Sequence, residues 1–260
     1  MIPARRRAKV SATKYTHEEI PAMPGNKEER PVGPTLQGWS ERARPVRATI
    51  TGAWGRLEPL DTAKHGHDLW KAIEGHDSVW TYLSYGPFAD EATFLAWLKG
   101  REELSDPLSY AVVDAASGKA LGVLTLMEIR PAAGVVETGH IFFAPVLQKT
   151  RAATEAIFLA MKHAFDDLGY RRFEWKCDAL NAPSRAAAIR FGFTYEGIFR
   201  QHMVIKGRNR DTAWYSIVDK EWPTVKAAFA AWLKPENFDA EGHQKAALAD
   251  LRPKAKPAAH

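Results

Sequence analysis

Apolar and polar residues alternate with two different periods along this chain, and the switches between them outline its elements. Residues 47–59 (RATITGAWGRLEP) read as a strand pair or one long strand broken at Gly52 or Gly55. A helical period follows from Asp61 or Thr62, either of which can cap it, through about Glu74. A second helix starts after Asp90 and carries Phe94, Leu95 and Leu98 on one face. Three strand-like runs come next, LSYAVVD (108–114), ALGVLTLMEI (120–129) and VVETGHIFFA (135–144). They are joined by the turn signals Ser117-Gly118 and Pro131–Gly134.

The clearest helix spans about 151–168, where Ala153, Ile157, Ala160, Met161, Ala164 and Leu168 recur at helical spacing and Gly169 closes it. RRFEWKCDA (171–179) alternates as a strand, and Asn181 to Phe191 reads as a short helix ended by Gly192. Strands 193–205 and 211–218 flank the polar hairpin Lys206–Arg210, and a last helix covers 221–233. Helices thus interrupt a run of mostly antiparallel-spaced strands, an α/β (α+β) layout in one domain over about 45–235. Residues 1–44 are rich in Pro, Gly and charge without lasting periodicity and read as a disordered basic lead. Residues 236–260 read as a C-terminal tail.

Charge narrows the classes of function. The chain of 260 residues has a net charge of +5, with 45% hydrophobic and 26% charged residues. The lead carries nine basic and five acidic residues and the last sixteen residues four and one, so the body between holds 23 basic and 25 acidic. A nucleic-acid reader should carry its positive charge on the folded face, so this distribution argues against that role. Arg5-Arg6-Arg7 reads as a solvated end or as a tether to an acidic surface. The single cysteine, Cys177, allows no intrachain disulfide and no cysteine-built metal site. With no recognisable secretory signal, it points to a reducing, cytoplasmic setting. No apolar run approaches the roughly 20 residues that span a bilayer. His65 and His67 lie two apart on a helix and do not share a face, so no metal site is read there.

The run GHIFFAPVLQKTRAATEA, then a strand, then NAPSRAAAIRFGFTYEG, resembles the GNAT acetyltransferase superfamily. More narrowly, it resembles the branch of ribosomal-protein N-terminal acetyltransferases (RimJ/RimL-like). The motif KGRNRDTAWYSIVDKEWP resembles a bacterial subgroup of that branch. The resemblance covers about 45–220. It implies a twisted, mostly antiparallel mixed sheet of six or seven strands, splayed between the fourth and fifth and flanked by helices on both faces. It also implies acetyl-CoA as co-substrate, an amine acceptor and no metal. The acceptor would be a protein N-terminal amine or a small molecule such as a polyamine, amino acid or antibiotic, and the chain a monomer or homodimer. A non-catalytic acyl-CoA-binding module is the other reading.

On that resemblance, backbone groups of Ile141, Phe142 and Phe143 would pair with the pantetheine arm where a bulge splays the strand. Pro145, which lacks an N–H, would end the ladder. The diphosphate would sit on Gln148, Lys149, Thr150, Arg151, Ala152 and Ala153 at a helix start, whose unpaired N–H groups attract anions. The family usually has glycine at the positions of Lys149 and Arg151. Their cationic side chains and the Thr150 hydroxyl could compensate by contacting phosphate. Thr150 could equally be an ordinary N-cap. Asn181 would bond a pantetheine amide or cap its helix, and Ser184 would face the thioester sulfur or solvent. Ala188 stands where many members place the tyrosine that protonates the leaving thiolate. Glu137 is the candidate base that takes the amine's proton, or else half of a structural ion pair. Alternation puts it on one face with Gly139, Ile141 and Phe143, and His140 on the other. Asp178, at a strand end, is a weaker catalytic candidate. Arg208 and Arg210 could hold an anionic group, with Asp211 bracing one of them. Trp54, Trp175 and Trp214 read as core, with one of them a possible wall of the cleft.

Overall fold

The computed structural model describes residue 30 and residues 32–252. The Arg5-Arg6-Arg7 cluster and the ends of both tails lie outside the described residues. The chain divides after Trp39. Among the described residues before that point there is no helix or strand, and the fold occupies the unit from Ser40 onward.

Eight strands make one sheet in the order β1-β2-β3-β4-β5-β6-β8-β7. These are β1 (Ile50–Thr51), β2 (Gly55–Pro59), β3 (Leu108–Asp114), β4 (Ala120–Arg130), β5 (Val135–Phe143), β6 (Arg172–Asp178), β7 (Thr194–Ile205) and β8 (Arg208–Val218). Every neighbouring pair is antiparallel except β5 and β6, which are parallel. The count exceeds the expected six or seven because 47–59 breaks into a hairpin: Ile50 pairs with Leu57 and Thr51 with Arg56. β8 also starts earlier than expected, since only Lys206 and Gly207 are needed for the turn, both at positive φ.

Four of the five helices begin at a side-chain cap. Asp61 accepts from Lys64 N at the start of α1 (Thr62–Ile73), and Asp90 from Thr93 N at α2 (Glu91–Glu102). Thr150 caps α3 (Arg151–Lys162), which runs on into a wider turn over His163–Asp167 before Gly169 stops it at φ +67°. Asn181 caps α4 (Ala182–Phe191), and α5 (Trp222–Trp232) follows β8. Each such cap accepts from one N–H donor that the first helical turn leaves without a partner.

The helices cover both faces of the sheet. On one face α3 and α5 bury Ile157, Met161 and Phe229 against Tyr110, Leu124, Val136 and Phe173. On the other, α1 and α2 bury Leu69, Phe94 and Leu98 against Ala111, Val113 and Val123. There Trp80 gathers Tyr85, Phe88, Trp97 and Phe142 around its ring at centroid separations of 5.0–6.0 Å, all within aromatic contact. Beyond α5, Phe238 packs on Trp232 and Leu248 is buried.

One buried charge ties the edge hairpin to the main helix. The Glu155 carboxylate on α3 accepts from Ala53 N (2.8 Å), Trp54 N (2.6 Å) and Gly55 N (2.9 Å). A Cβ on Gly52 would lie 2.4 Å from that carboxylate, so only glycine fits the turn. This explains why the strand signal breaks at Gly52. Replacing Glu155 by Ala removes the acceptor of three backbone donors, and hydrogen bonds to a charged group are worth about 1.5–3 kcal/mol each. Glu155→Ala should therefore cost at least about 3 kcal/mol in urea unfolding. A loss under about 1 kcal/mol would mean that water replaces the carboxylate without penalty.

Candidate active site

β5 cannot stay paired on both sides. It follows β6 for four rungs, Val135 with Arg172 up to Thr138 with Trp175, and then leaves it. β6 continues along β8 as far as Asp178 opposite Thr212. β5 continues along β4 to Phe143 opposite Gly122. Between Gly139 (opposite Thr125) and Phe142 (opposite Val123), β5 spends one residue more than β4, with His140 at φ +47°. Such a bulge bends the strand and strengthens its twist, which opens a fork against β6. On the β6 side the backbone of Gly139–Phe143 is left without a partner strand.

The bulge also corrects the expected facing of residues. The extra residue shifts the alternation, so Ile141 and Phe143 pack on the α3 side. Phe142 packs on Trp80, and His140 bonds Tyr85, both on the α1/α2 side. Glu137 thus shares its face with His140 and Phe142, not with Ile141 and Phe143.

The loop after β5 leads straight to the start of α3. Gln148 donates from Nε2 to the Phe143 carbonyl (2.9 Å), which occupies that end of the strand. Thr150 Oγ1 accepts from Ala153 N (3.1 Å) and donates to Leu147 O (2.7 Å), so its hydroxyl is a cap. The N–H groups of Arg151 and Ala152 find no acceptor among the described residues. Ala152 and Ala153 are buried and small, which lets a ligand approach that turn closely. Lys149 stands at φ +63°. The left-handed geometry for which glycine is suited is therefore kept although the glycine is gone, while Arg151 is helical and needs none. The Arg151 guanidinium is held 4.4 Å from the Trp54 centroid and 3.8 Å from that of Phe238. Its side chain packs between the edge hairpin and the segment after α5.

Across the fork, Asp178 Oδ1 accepts from Leu180 N (2.8 Å) and shapes the turn into α4. Asn181 Oδ1 accepts from Ser184 N (3.1 Å) and is the cap. Ser184 Oγ accepts from Trp175 Nε1 (3.0 Å) and lies within hydrogen-bond reach of the buried Cys177 thiol. Ala188 is fully buried, so no group fills the family's tyrosine position.

The α1/α2 side of the fork is built of charge. Glu137 is 5% exposed and pairs with Lys176 (2.8 Å), which also reaches Glu174 (3.2 Å) and lies on the Trp214 ring (3.9 Å). Burial lifts the Glu137 carboxyl to about 7 against the pull of Lys176. Arg172 bonds both Glu174 and Glu196. Burial together with Arg101 and Arg210 pushes His140 down to about 4. Arg101 donates to His140 Nδ1 (3.0 Å), which requires a ring lone pair and hence the neutral imidazole. Two contacts roof this side: Tyr82 OH donates to Leu180 O (3.1 Å) and Lys206 Nζ to Trp80 O (2.9 Å).

Tyr82, Tyr85 and Arg101 were not legible as site residues. The tyrosines lie in the loop between α1 and α2, and Arg101 reads as an ordinary cation in the last turn of a helix. Arg210 was legible, but Arg208 and Asp211 do not join it. Arg208 is exposed, and Asp211 instead accepts from Gln201 N and Asn209. Among the described residues no cluster of His, Cys, Asp and Glu could hold a metal, and no helix is long and apolar enough to cross a membrane.

A non-glycine residue in the left-handed region costs roughly 1 kcal/mol. Lys149→Gly should thus raise stability by about that amount in thermal or urea unfolding. Lys149→Ala, which keeps the steric cost, should not.

Comparison with known proteins agrees with this geometry. A family model for the acetyltransferase (GNAT) domain matches residues 56–194. A GCN5-related N-acetyltransferase from Brucella melitensis is 52% identical over 84% of this chain and 99% of its own, with a TM-score of 0.82. A probable GNAT-family acetyltransferase from Chromobacterium violaceum is 47% identical over 75% of this chain and 98% of its own, with a TM-score of 0.70. A Salmonella typhimurium acetyltransferase described as modifying the N-terminal serine of ribosomal protein L7/L12 shares the fold at 20% identity. It covers 66% of this chain and 99% of its own, with a TM-score of 0.57. No curated protein matches the chain. The fork in the sheet, the helix start beneath it and these similarities lead to one conclusion: the chain belongs to the GNAT acetyltransferase family.

Proposed function

We propose that this protein is an N-acetyltransferase of the RimJ/RimL-like branch, which moves the acetyl group of acetyl-CoA to an amine by direct attack. The observation that carries the reading is the position of the fork. A strand edge without a partner strand runs for five residues and ends at a helix start that still has free N–H groups. An extended amide-bearing chain with a diphosphate at one end fits such a track. Acetyl-CoA supplies the activated acyl group as a thioester.

The residues around the fork divide the remaining work. Arg151 N–H and Ala152 N–H, at the positive end of the α3 dipole, bind the diphosphate, with the Lys149 charge beside them. Backbone groups of Gly139–Phe142 align the pantetheine arm and polarise the acyl carbonyl. Glu137 lies one rung before the strands part and titrates near neutral pH. It takes a proton from the incoming ammonium, which is the state of a free amine at about pH 7. Ser184, whose oxygen already accepts from Trp175, donates its proton toward the departing thiolate and recovers a proton from water. Catalysis then rests mainly on orientation. A protein N-terminal amine is the acceptor suggested by fold relatives such as the Salmonella enzyme, which modifies an N-terminal serine.

Titration with acetyl-CoA, followed by thiol release over a panel of N-terminal peptides and small amines, tests the reading. Binding with no turnover on any amine would make the protein a coenzyme-binding module instead. Within the active range, kcat/KM should rise with pH through about 7 as the Glu137 carboxyl ionises. Glu137→Gln should remove that limb, lower the rate about 100-fold and leave the acetyl-CoA Kd unchanged. A limb that persists in the variant would assign the proton transfer to another group.

A further inference from the structure

On the reading above, the amine reaches the thioester from the α1/α2 side, and the groups lining that approach bear on what else the acceptor carries. Arg101 and Arg210 both face it, and among the described residues neither has a carboxylate within ion-pair distance; the arginines that do are others. Arg101 lies on the rings of Tyr85 and Trp97, at 5.1 and 5.8 Å, and donates to His140. Arg210 acts electrostatically on His140 of β5 and on Cys177 of β6. Its charge is therefore felt on both banks of the fork. The Arg210 Nε–H is buried without an acceptor, and so is the indole N–H of Trp214, four residues along the same strand.

Apart from Asp178 at the end of β6, which accepts from Leu180 N, the neighbouring carboxylates are taken up elsewhere. Lys176 is held by Glu137 and Glu174, and those two carboxylates are in turn committed to Lys176, Arg130 and Arg172. His140 is neutral. Lys206 adds a third positive charge at the roof. Buried donors are nearly always paired in folded proteins, and an unpaired one is a place where a partner is missing. Two guanidinium groups and an indole N–H facing one approach call for an anion with several acceptor atoms, and a planar carboxylate matches a guanidinium fork.

We propose that the acceptor is an amine that also bears a carboxylate, held by Arg210 with Arg101 behind it and the Trp214 N–H as a further donor. Two sources offer that chemistry: the α-carboxylate of a free amino acid, and an acidic side chain next to the N-terminus of a peptide. This inference rests on the acetyltransferase reading of the fork.

The test uses matched pairs that differ only in the carboxylate. Free amino acids are compared with their amides, and peptides beginning Ser-Asp with those beginning Ser-Asn, each in thiol release with acetyl-CoA. The N-acetylated form of every compound is also titrated calorimetrically into the CoA-bound protein, a readout that needs no turnover. The carboxylate member of one pair should be preferred by about tenfold or more, the scale of one charge-assisted hydrogen bond. The pair that shows the preference identifies the source. Arg210→Gln should reduce the preference to within about twofold through KM, Arg210→Lys should keep part of it, and both should bind CoA as the wild type does. Amines acetylated without regard to the carboxylate, or a preference that survives Arg210→Gln, would overturn the proposal while the acetyltransferase reading stands. Carboxylate-dependent binding without acetylation of any amine would leave the anion site standing and remove the enzymatic reading.

Discussion

A strand that carries one residue more than its neighbour cannot keep straight pairing on both edges. That constraint, set at His140, governs this structure. β5 holds its register with β4 on either side of the bulge, because β4 belongs to the well-buried centre of the sheet. The strain is taken up on the other edge, where only four parallel rungs join β5 to β6. β6 does not drift, because β8 pairs with it along its whole length. The fork therefore has two fixed banks. A gap between rigid strands is a better binding track than a gap between mobile loops, since its geometry is set before any ligand arrives.

The two sides of that gap differ in what they offer, and the difference follows from the elements behind them. On the α3 side the helix starts with Arg151, whose side chain lies on Trp54 and Phe238, and two alanines, so bare backbone donors and a helix dipole face the fork. On the α1/α2 side the walls are long polar side chains from four different elements: Arg101 from α2, His140 from β5, Lys176 from β6, and Arg210 with Trp214 from β8. The first kind of surface suits a ligand common to a family, because backbone N–H groups are present whatever the sequence. The second suits a ligand peculiar to one member, because any of those side chains can change without loss of fold.

Local chemistry was legible in the sequence wherever it was governed by neighbouring residues. Asp61, Asp90, Thr150 and Asn181 cap their helices because a short polar side chain reaches a donor two or three residues ahead. Gly169 and Gly192 end theirs because the left-handed turn suits them. The bulge was implied by the resemblance, but its place was not. Nothing in ETGHIFF marks which residue is extra, and a shift by one residue turns every later side chain to the other face. That is why Glu137 was grouped with Ile141 and Phe143. The ring contacts of Arg151 were illegible for a related reason. A cation at a helix start suggests an anion, but the aromatic partners that hold it lie about a hundred residues before it in Trp54 and about ninety after it in Phe238.

Lys149 shows how a family motif can persist without its letters. Glycine is favoured where the backbone must turn left-handed, yet the penalty for another residue is only of the order of 1 kcal/mol at a single exposed position. A lysine there returns some of that cost when an anion is bound, by placing a charge within the field of the helix N-terminus. The helix cap by Thr150 and the Gln148 bond to the end of β5 hold the loop on both sides of Lys149, so the turn does not depend on the residue at its centre. Where the flanking bonds determine the path of the chain, the glycine becomes replaceable, and a search for the glycine pattern alone would miss a site whose backbone geometry is intact.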